Sequence, residues 1–427
     1  MKYLKLNARL FIKNRDLLCN KLSNNSIAIF NSNDVMPTNS DGTMPFKQNS
    51  DLFWLTGVDQ EESVFVIIKK ENTVEEILFL KETNDLIAVW EGAKLSKKQA
   101  IDNSGVQKVY WLTEMDKIIA QNISETDVLY LNKNIHKRAT LEVQTRDDRF
   151  RNTIKTKFPN KQISEIAPLM HSLRFVKSEF EIELIQNACN ITEKGLRRIL
   201  PLIKPGIMEY EIEAELMHEF LSNRSAGFAY QPIIGSGLNS CVLHYIENNQ
   251  KCKEGEILLM DFGAEYANYA SDLTRTVPVS GKFSKRQKDV YNSVLRVMKE
   301  ATNMLRPGTD HAKMQKEVVR IMEHELIHLG LFDAQDLKNQ DQNNPLYKKY
   351  FMHGTCHSLG LDVHDVGDAK TPMTEGMVFT CEPGIYIQEE KLGIRLENDI
   401  LITSDSPKDL MQNIPIEANE IEDLMRG

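Results

Sequence analysis

The sequence predicts an α/β (α+β) protein of two domains, a mixed-sheet amino-terminal domain over 1–170 and a second domain over 171–427. Three observations carry this. The 427 residues exceed what one ordinary core serves. Ahead of residue 170, short apolar β-type runs alternate with polar, helix-like stretches, the pattern of a mixed sheet with helices. Behind it, two helical stripes are followed by strand-like runs that acidic residues interrupt.

In the first half, Ser26–Phe30, Ser63–Ile68 and Glu76–Leu80 read as strands, the first two buried. Between the first two lies Asp51-Leu52-Phe53-Trp54-Leu55-Thr56-Gly57, whose aromatic pair is read as core ahead of a pocket mouth. Nothing here gathers His, Cys, Asp or Glu as ligands would be gathered, so this half is expected to support or oligomerise.

At the junction, Ser178 with Glu181 three residues on is a capping box. Ile185, Ala188, Ile191, Thr192, Leu196 and Ile199 then keep a helical stripe as far as Pro201. A second helix is expected after Pro205-Gly206, and two more at about 284–305 and 310–330. The last contains His324-Glu325-Leu326-Ile327-His328, a match to the H-E-x-x-H zinc pattern. Its apolar face runs through Val318, Met322, Leu326 and Leu329. The histidines lie off that face beside Glu317 and Arg320, so the match reads as a solvated helix surface.

The second domain is organised around Leu258-Leu259-Met260-Asp261-Phe262-Gly263, a short turn, and Tyr269-Ala270-Ser271-Asp272-Leu273-Thr274. The aspartates are 272 − 261 = 11 apart, which suits a hairpin with one inward carboxylate on each strand. Unpaired buried charges are expensive, and two facing carboxylates repel unless a cation lies between them. His244, taken alone, reads as structural. His353-Gly-Thr-Cys-His357-Ser-Leu-Gly-Leu-Asp-Val-His364 is too glycine-rich for a helix and is expected to form a strand and turn. Glu382 and Glu397 end or interrupt further β-type runs.

Together, Asp261, Asp272, His357, Glu382 and Glu397 resemble the ligand set of the pita-bread metallopeptidases. The His353–Gly367 stretch, Gly235-Ser-Gly-Leu-Asn-Ser-Cys-Val-Leu-His244 and Asn49–Gly57 look most like the aminopeptidase P (Xaa-Pro aminopeptidase) family, over essentially the whole chain. The resemblance implies two divalent ions bridged by Asp272 and Glu397, with Asp261 on one ion and His357 and Glu382 on the other. It implies that His244 and His364 steady the scissile carbonyl, that His353 and Arg395 flank the pocket for the proline-side residue, and that the enzyme is a homodimer or homotetramer. Manganese is the metal it implies. The segment Pro383–Leu396 is shorter than many members show, which leaves the preferred peptide length open.

The chemistry of the residues agrees. Four carboxylates balance the charge of two divalent ions, and oxygen donors with one imidazole suit Mn²⁺, Co²⁺ or Zn²⁺. A water between two such ions is acidified to hydroxide, which would attack a peptide carbonyl while Glu382 shuttles the proton. The expected function is release of the first residue from peptides with proline second. Prolidase-type dipeptide cleavage is the near alternative. Methionine aminopeptidase has no role for a separate amino-terminal domain, and a non-catalytic module on this fold would have lost ligands. The net charge of −9 disfavours nucleic-acid binding. No signal peptide or membrane span is read, and six scattered cysteines read as free thiols, so the expected location is the cytoplasm.

Overall fold

A computed structural model describes residues 2–341 and 343–426. Among them the chain divides into two compact units, one holding Tyr3–Arg174 and the other running on from Phe175.

The first unit is built on a six-stranded mixed sheet. Its strands are β1 (Ser26–Asn31), β2 (Val64–Lys69), β3 (Val74–Leu80), β4 (Lys108–Trp111), β5 (Val128–Leu131) and β6 (Ile163–Glu165), in the order β4-β3-β2-β1-β5-β6. β1, β2 and β3 pair antiparallel as a meander, and β4, β5 and β6 add in parallel. β1 and β2 are almost continuously apolar because they lie in the middle of the sheet with both faces covered. Ile27, Ile29, Val64, Val66 and Phe79 share one core cluster with Ile119 and Ile123 of the helix Met115–Glu125. Phe53 and Trp54 are buried in the helix Ser50–Thr56, as core. Asn49 caps that helix by accepting from the Asp51 and Leu52 N–H groups. Gly57 ends it at φ 63°, where a Cβ would lie 2.2 Å from the Phe11 ring.

In the second unit, the capping box forms as the spacing predicts. The Glu181 carboxylate accepts from the Ser178 N–H at 2.9 Å at the head of the helix Glu179–Ile199. The further α-helices among the described residues are Glu209–Ser222, Lys285–Met304, His311–His328, Ala334–Asn339 and Ala418–Met425. β7 (Ile233–Ser236), β8 (Ile257–Phe262) and β11 (Leu273–Pro278) form one antiparallel sheet in the order β11-β8-β7. Between β8 and β11 a small hairpin of β9 (Glu265–Tyr266) and β10 (Tyr269–Ala270) turns through Ala267 and Asn268, both at positive φ. The two residues in left-handed backbone are the signature of a tight hairpin turn matched to strand twist. β12 (Val378–Cys381), β15 (Asn398–Leu401) and β16 (Lys408–Asp409) form a second sheet, and β13 (Gly384–Ile387) pairs with β14 (Leu392–Arg395). A bridge between Thr274 and Glu397 joins the two halves of this framework.

Residues 353–365 meet the strand-and-turn expectation only in part. Thr355–Leu359 lie antiparallel to Val378–Glu382 through three backbone hydrogen bonds and the bridge Ser358–Phe379, and the rest of the segment is an irregular loop. Two glycines and seven polar or charged positions among these thirteen residues leave too little apolar alternation for a long regular strand. In the H-E-x-x-H match the two histidines are exposed, while the buried Glu325 carboxylate accepts from Nε and Nη2 of Arg296 at 2.9 and 2.6 Å and is not available as a base. All six cysteines are free thiols. No helix among the described residues is long and apolar enough to cross a membrane.

Candidate metal centre

The two aspartates reach the site through strand register. Asp261 lies in β8 opposite Thr274 of β11, and Asp272 immediately precedes β11. The approach is close because Gly263 has no side chain: a Cβ there would fall 1.8 Å from the Ser271 carbonyl oxygen. Glu382 follows β12, and Glu397 sits between β14 and β15. His357 is held by the segment antiparallel to β12, its N–H donating to Thr380 Oγ1 and its Nδ1 lying 3.1 Å from the Ser358 carbonyl oxygen. That contact leaves Nε2 facing the carboxylates.

Asp272, His357 and Glu397 each offer one donor atom, and these atoms lie within 4.8 Å of one another, a spacing that fits ligands around a single ion. His357 Nε2 is 3.4 Å from Asp272 Oδ2 and 3.5 Å from Glu382 Oε1. Asp261 joins through Tyr230, whose hydroxyl lies 2.6 Å from Asp261 Oδ1 and also contacts Asp272 Oδ1. One hydroxyl carries one proton, so it satisfies one carboxylate and leaves the other facing an oxygen. The cluster is therefore short of positive charge, which is the deficit that divalent ions fill.

The electrostatics express the same deficit. Burial, then repulsion from Asp261, holds Asp272 well above the usual carboxylate range. Burial, then Asp272, Glu382 and Asp261, does the same to Glu397. Burial pushes Glu382 up to about 7, with Asp272 and Asp261 adding to the rise and His357 and Arg395 opposing it. The donor set is hard, oxygen-rich and buried, and it fits divalent cations of the Mn²⁺, Co²⁺ or Zn²⁺ type.

Arg395, expected to flank a pocket, is buried, and its fork is spent within the protein. Its Nη2 donates to Asp261 Oδ2 at 2.6 Å, Nε to Thr274 Oγ1 at 3.1 Å and Nη1 to the Tyr386 hydroxyl at 2.9 Å. Thr274 Oγ1 in turn donates to Glu397 Oε2 at 2.6 Å. His353 faces the same group, with Nε2 2.8 Å from the Tyr386 hydroxyl and Nδ1 3.7 Å from Glu382 Oε2. Burial, then the charge of Arg395, lowers His353 to about 4, so it is a neutral imidazole near pH 7. His364 stacks edge-on to His357, ring centroids 4.3 Å apart. His244 is exposed beyond the 3₁₀ turn Gly237–Cys241, near enough to His353 to contribute to its lowered pKa.

Four participants escaped the sequence reading: Tyr230, Thr274, Tyr386 and Asp399. Asp399 is buried, and its Oδ2 accepts from the Asp272 N–H at 3.0 Å. Thr274 alone was within reach, because the hairpin spacing that singles out Asp261 also sets its cross-strand neighbour.

Comparison with known proteins follows the same lines. The sequence matches "Metallopeptidase family M24" over residues 183–404 and "Aminopeptidase P, N-terminal domain" over residues 11–130. It is 34% identical to an Xaa-Pro aminopeptidase of Escherichia coli, over 97% of both chains. It is 33% identical to one of Haemophilus influenzae, over 97% of this chain and 96% of the other. Among solved structures, E. coli aminopeptidase P superposes with a TM-score of 0.90 at 32% identity, over 99% of both chains. The proline aminopeptidase P II of Yersinia pestis superposes with a TM-score of 0.89 at 31% identity, over 99% of this chain and all of that one.

Proposed function

The chain belongs to metallopeptidase family M24, and from that membership we propose that it is an Xaa-Pro aminopeptidase, a dinuclear metal-dependent exopeptidase that releases the first residue of peptides whose second residue is proline. The observation that carries the reading is the convergence of Asp272, His357 and Glu397 within 4.8 Å, with Glu382 beside them. Asp261, Asp272, His357, Glu382 and Glu397 would hold the two ions, with Asp272 and Glu397 shared between them, Asp261 on one side and His357 and Glu382 on the other. Bound there, the ions supply an acidified water as nucleophile and Lewis-acid polarisation of the scissile carbonyl. Manganese is the metal proposed. A related E. coli enzyme has been seen Zn-substituted in complex with product, so the alternatives Co²⁺ and Zn²⁺ stay in the same donor class.

Glu382 takes the proton of the attacking water and hands it to the leaving nitrogen. His244 and His364 donate to the carbonyl oxygen as charge develops on it. Neutral His353 borders the proline-side pocket. Arg395 is assigned a positioning role, because its donors hold Asp261, Thr274 and Tyr386. An Xaa-Pro amide nitrogen bears no hydrogen, so recognition must rest on the ring and the free amino end. Residues 1–170 are proposed as a supporting or oligomerising domain and 171–427 as the catalytic one. A homodimer or homotetramer acting on peptides in the cytoplasm, with no nucleic-acid or membrane partner, completes the reading.

The test is a chelator-stripped sample restored with Mn²⁺ and offered Xaa-Pro-Yaa, Xaa-Ala-Yaa and Xaa-Pro peptides. Metal-dependent release of the first residue from Xaa-Pro-Yaa is the expected result. Turnover of the dipeptide alone moves the reading to a prolidase, and full activity without metal overturns it. Glu382→Gln keeps the size of the side chain and removes its proton acceptor, so activity should fall about 10²–10⁴-fold while the protein still binds metal.

A further inference from the structure

Two cysteines flank the candidate ligands, Cys356 before His357 and Cys381 before Glu382. The backbone sets how they face each other. Glu382 N–H donates to Thr355 O at 2.8 Å, Thr380 N–H to His357 O at 2.9 Å and Leu359 N–H to Val378 O at 3.1 Å. The three bonds share one antiparallel register, which the bridge Ser358–Phe379 confirms. In that register Cys356 stands directly opposite Cys381, between two ladder bonds. This is the non-hydrogen-bonded kind of pair, where Cα atoms approach to about 4.5 Å and side chains are closest. Disulfides accept Cα separations of roughly 4.4–6.8 Å, so the pair is at bridging distance.

Side chains alternate across a strand, so directly opposed residues share a face. His357 and Glu382 point to the carboxylate cluster, and Cys356 and Cys381 point to the reverse side. There Cys356 Sγ lies 3.4 Å from His311 Nε2, and Cys381 Sγ donates to the Met298 carbonyl at 3.7 Å. Both thiols are buried, and a buried thiol is inert until the surrounding structure opens. What holds this ladder shut is its three backbone bonds and, on the opposite face, any ion that His357 and Glu382 grip together.

We propose that Cys356 and Cys381 form a redox modification site: a cross-strand disulfide, made by peroxide when the metal centre is empty and prevented when it is filled. Peroxide oxidises one thiol to a sulfenic acid and releases one water. The second thiol then displaces hydroxide from that sulfur, forming the S–S bond and a second water. Two thiol hydrogens and two electrons pass to the peroxide, and its O–O bond is the bond broken. The gating rests on the metal reading above; the pairing of the two cysteines does not.

The experiment treats metal-stripped and Mn²⁺-loaded wild-type protein with hydrogen peroxide, then maps peptides without reduction and measures metal content on the same samples. The expected result is a linked peptide pair containing Cys356 and Cys381 in the stripped protein. With free Mn²⁺ at about 100 times its Kd, the open state is suppressed and the link should form about 100-fold more slowly. Links to other cysteines, or over-oxidised Cys356 with no link, overturn the site. Equal rates in two samples that differ in bound metal overturn the gating alone. A Mn²⁺-treated sample that holds no metal overturns the metal reading and the gating with it, while the linked pair in the stripped sample still decides the disulfide. Cys356→Ser and Cys381→Ser should each abolish the link, so a folding failure of one variant leaves the other as control.

Discussion

A single guanidinium sets much of the residue-scale chemistry. Arg395 is buried among Asp261, Thr274 and Tyr386, and each of its three donor positions meets a different acceptor. Lysine has one charged centre and cannot reproduce that fork. Arg395→Lys should therefore release Asp261 and Thr274 from fixed orientation and, through Thr274, loosen Glu397. Outer partners of ligands typically govern about 10–100-fold in metal affinity, and that is the loss expected in a Mn²⁺ titration. A variant that binds Mn²⁺ as tightly as the parent would show that Asp261 needs no such support. His353 belongs to the same argument. Its neutrality comes from burial and then from Arg395, so removing the guanidinium charge should raise the His353 pKa from about 4, a change that a histidine-resolved NMR titration detects.

The strands that bring the ligands together were legible in the sequence to different degrees. Asp261 and Asp272 could be read because a carboxylate in an apolar run is costly, and a spacing of eleven closes a hairpin. The capping box of Ser178 and Glu181 is a local signal and was equally readable. The segment around His357 was legible only in part, because its conformation is fixed by partners far along the chain, such as Thr380 and Val378. Tyr230 and Tyr386 left no trace at all: a tyrosine beside apolar residues looks the same whether its hydroxyl meets water or two carboxylates. At this scale Gly263 is the sharpest point. A methyl group there meets the Ser271 carbonyl at 1.8 Å, and backbone on both sides cannot rotate away as a flexible side chain would. Gly263→Ala should push β8 and β11 apart, destabilise the protein by about 3 kcal/mol and reduce bound metal. Unfolding in denaturant and metal stoichiometry check the two effects separately.

On the scale of the whole chain, the donors come from segments as far apart as Asp261 and Glu397, 397 − 261 = 136 residues. No unfolded chain holds such a set together, so metal binding adds its free energy to the stability of the folded second unit. The direction of its pH dependence follows from the carboxylates. Without metal, Asp272, Glu382 and Glu397 all have folded pKa values above their ordinary ones, with Glu382 at about 7. A carboxyl whose pKa is raised in the folded state favours folding in full below its ordinary pKa, and this contribution is lost as pH rises from there through the folded pKa. The stripped protein should therefore lose stability between about pH 4.5 and about pH 7, as Glu382 ionises against its neighbours. Divalent ions reverse the sign of the local potential, so the loaded protein does not suffer that loss, and its ligands bind metal better as protons leave. The separation between the melting temperatures of loaded and stripped protein should widen from the lower pH to the higher. Calorimetry across that range decides the matter: a separation that stays constant or narrows would mean that the repulsion among these carboxylates is relieved by something other than cations.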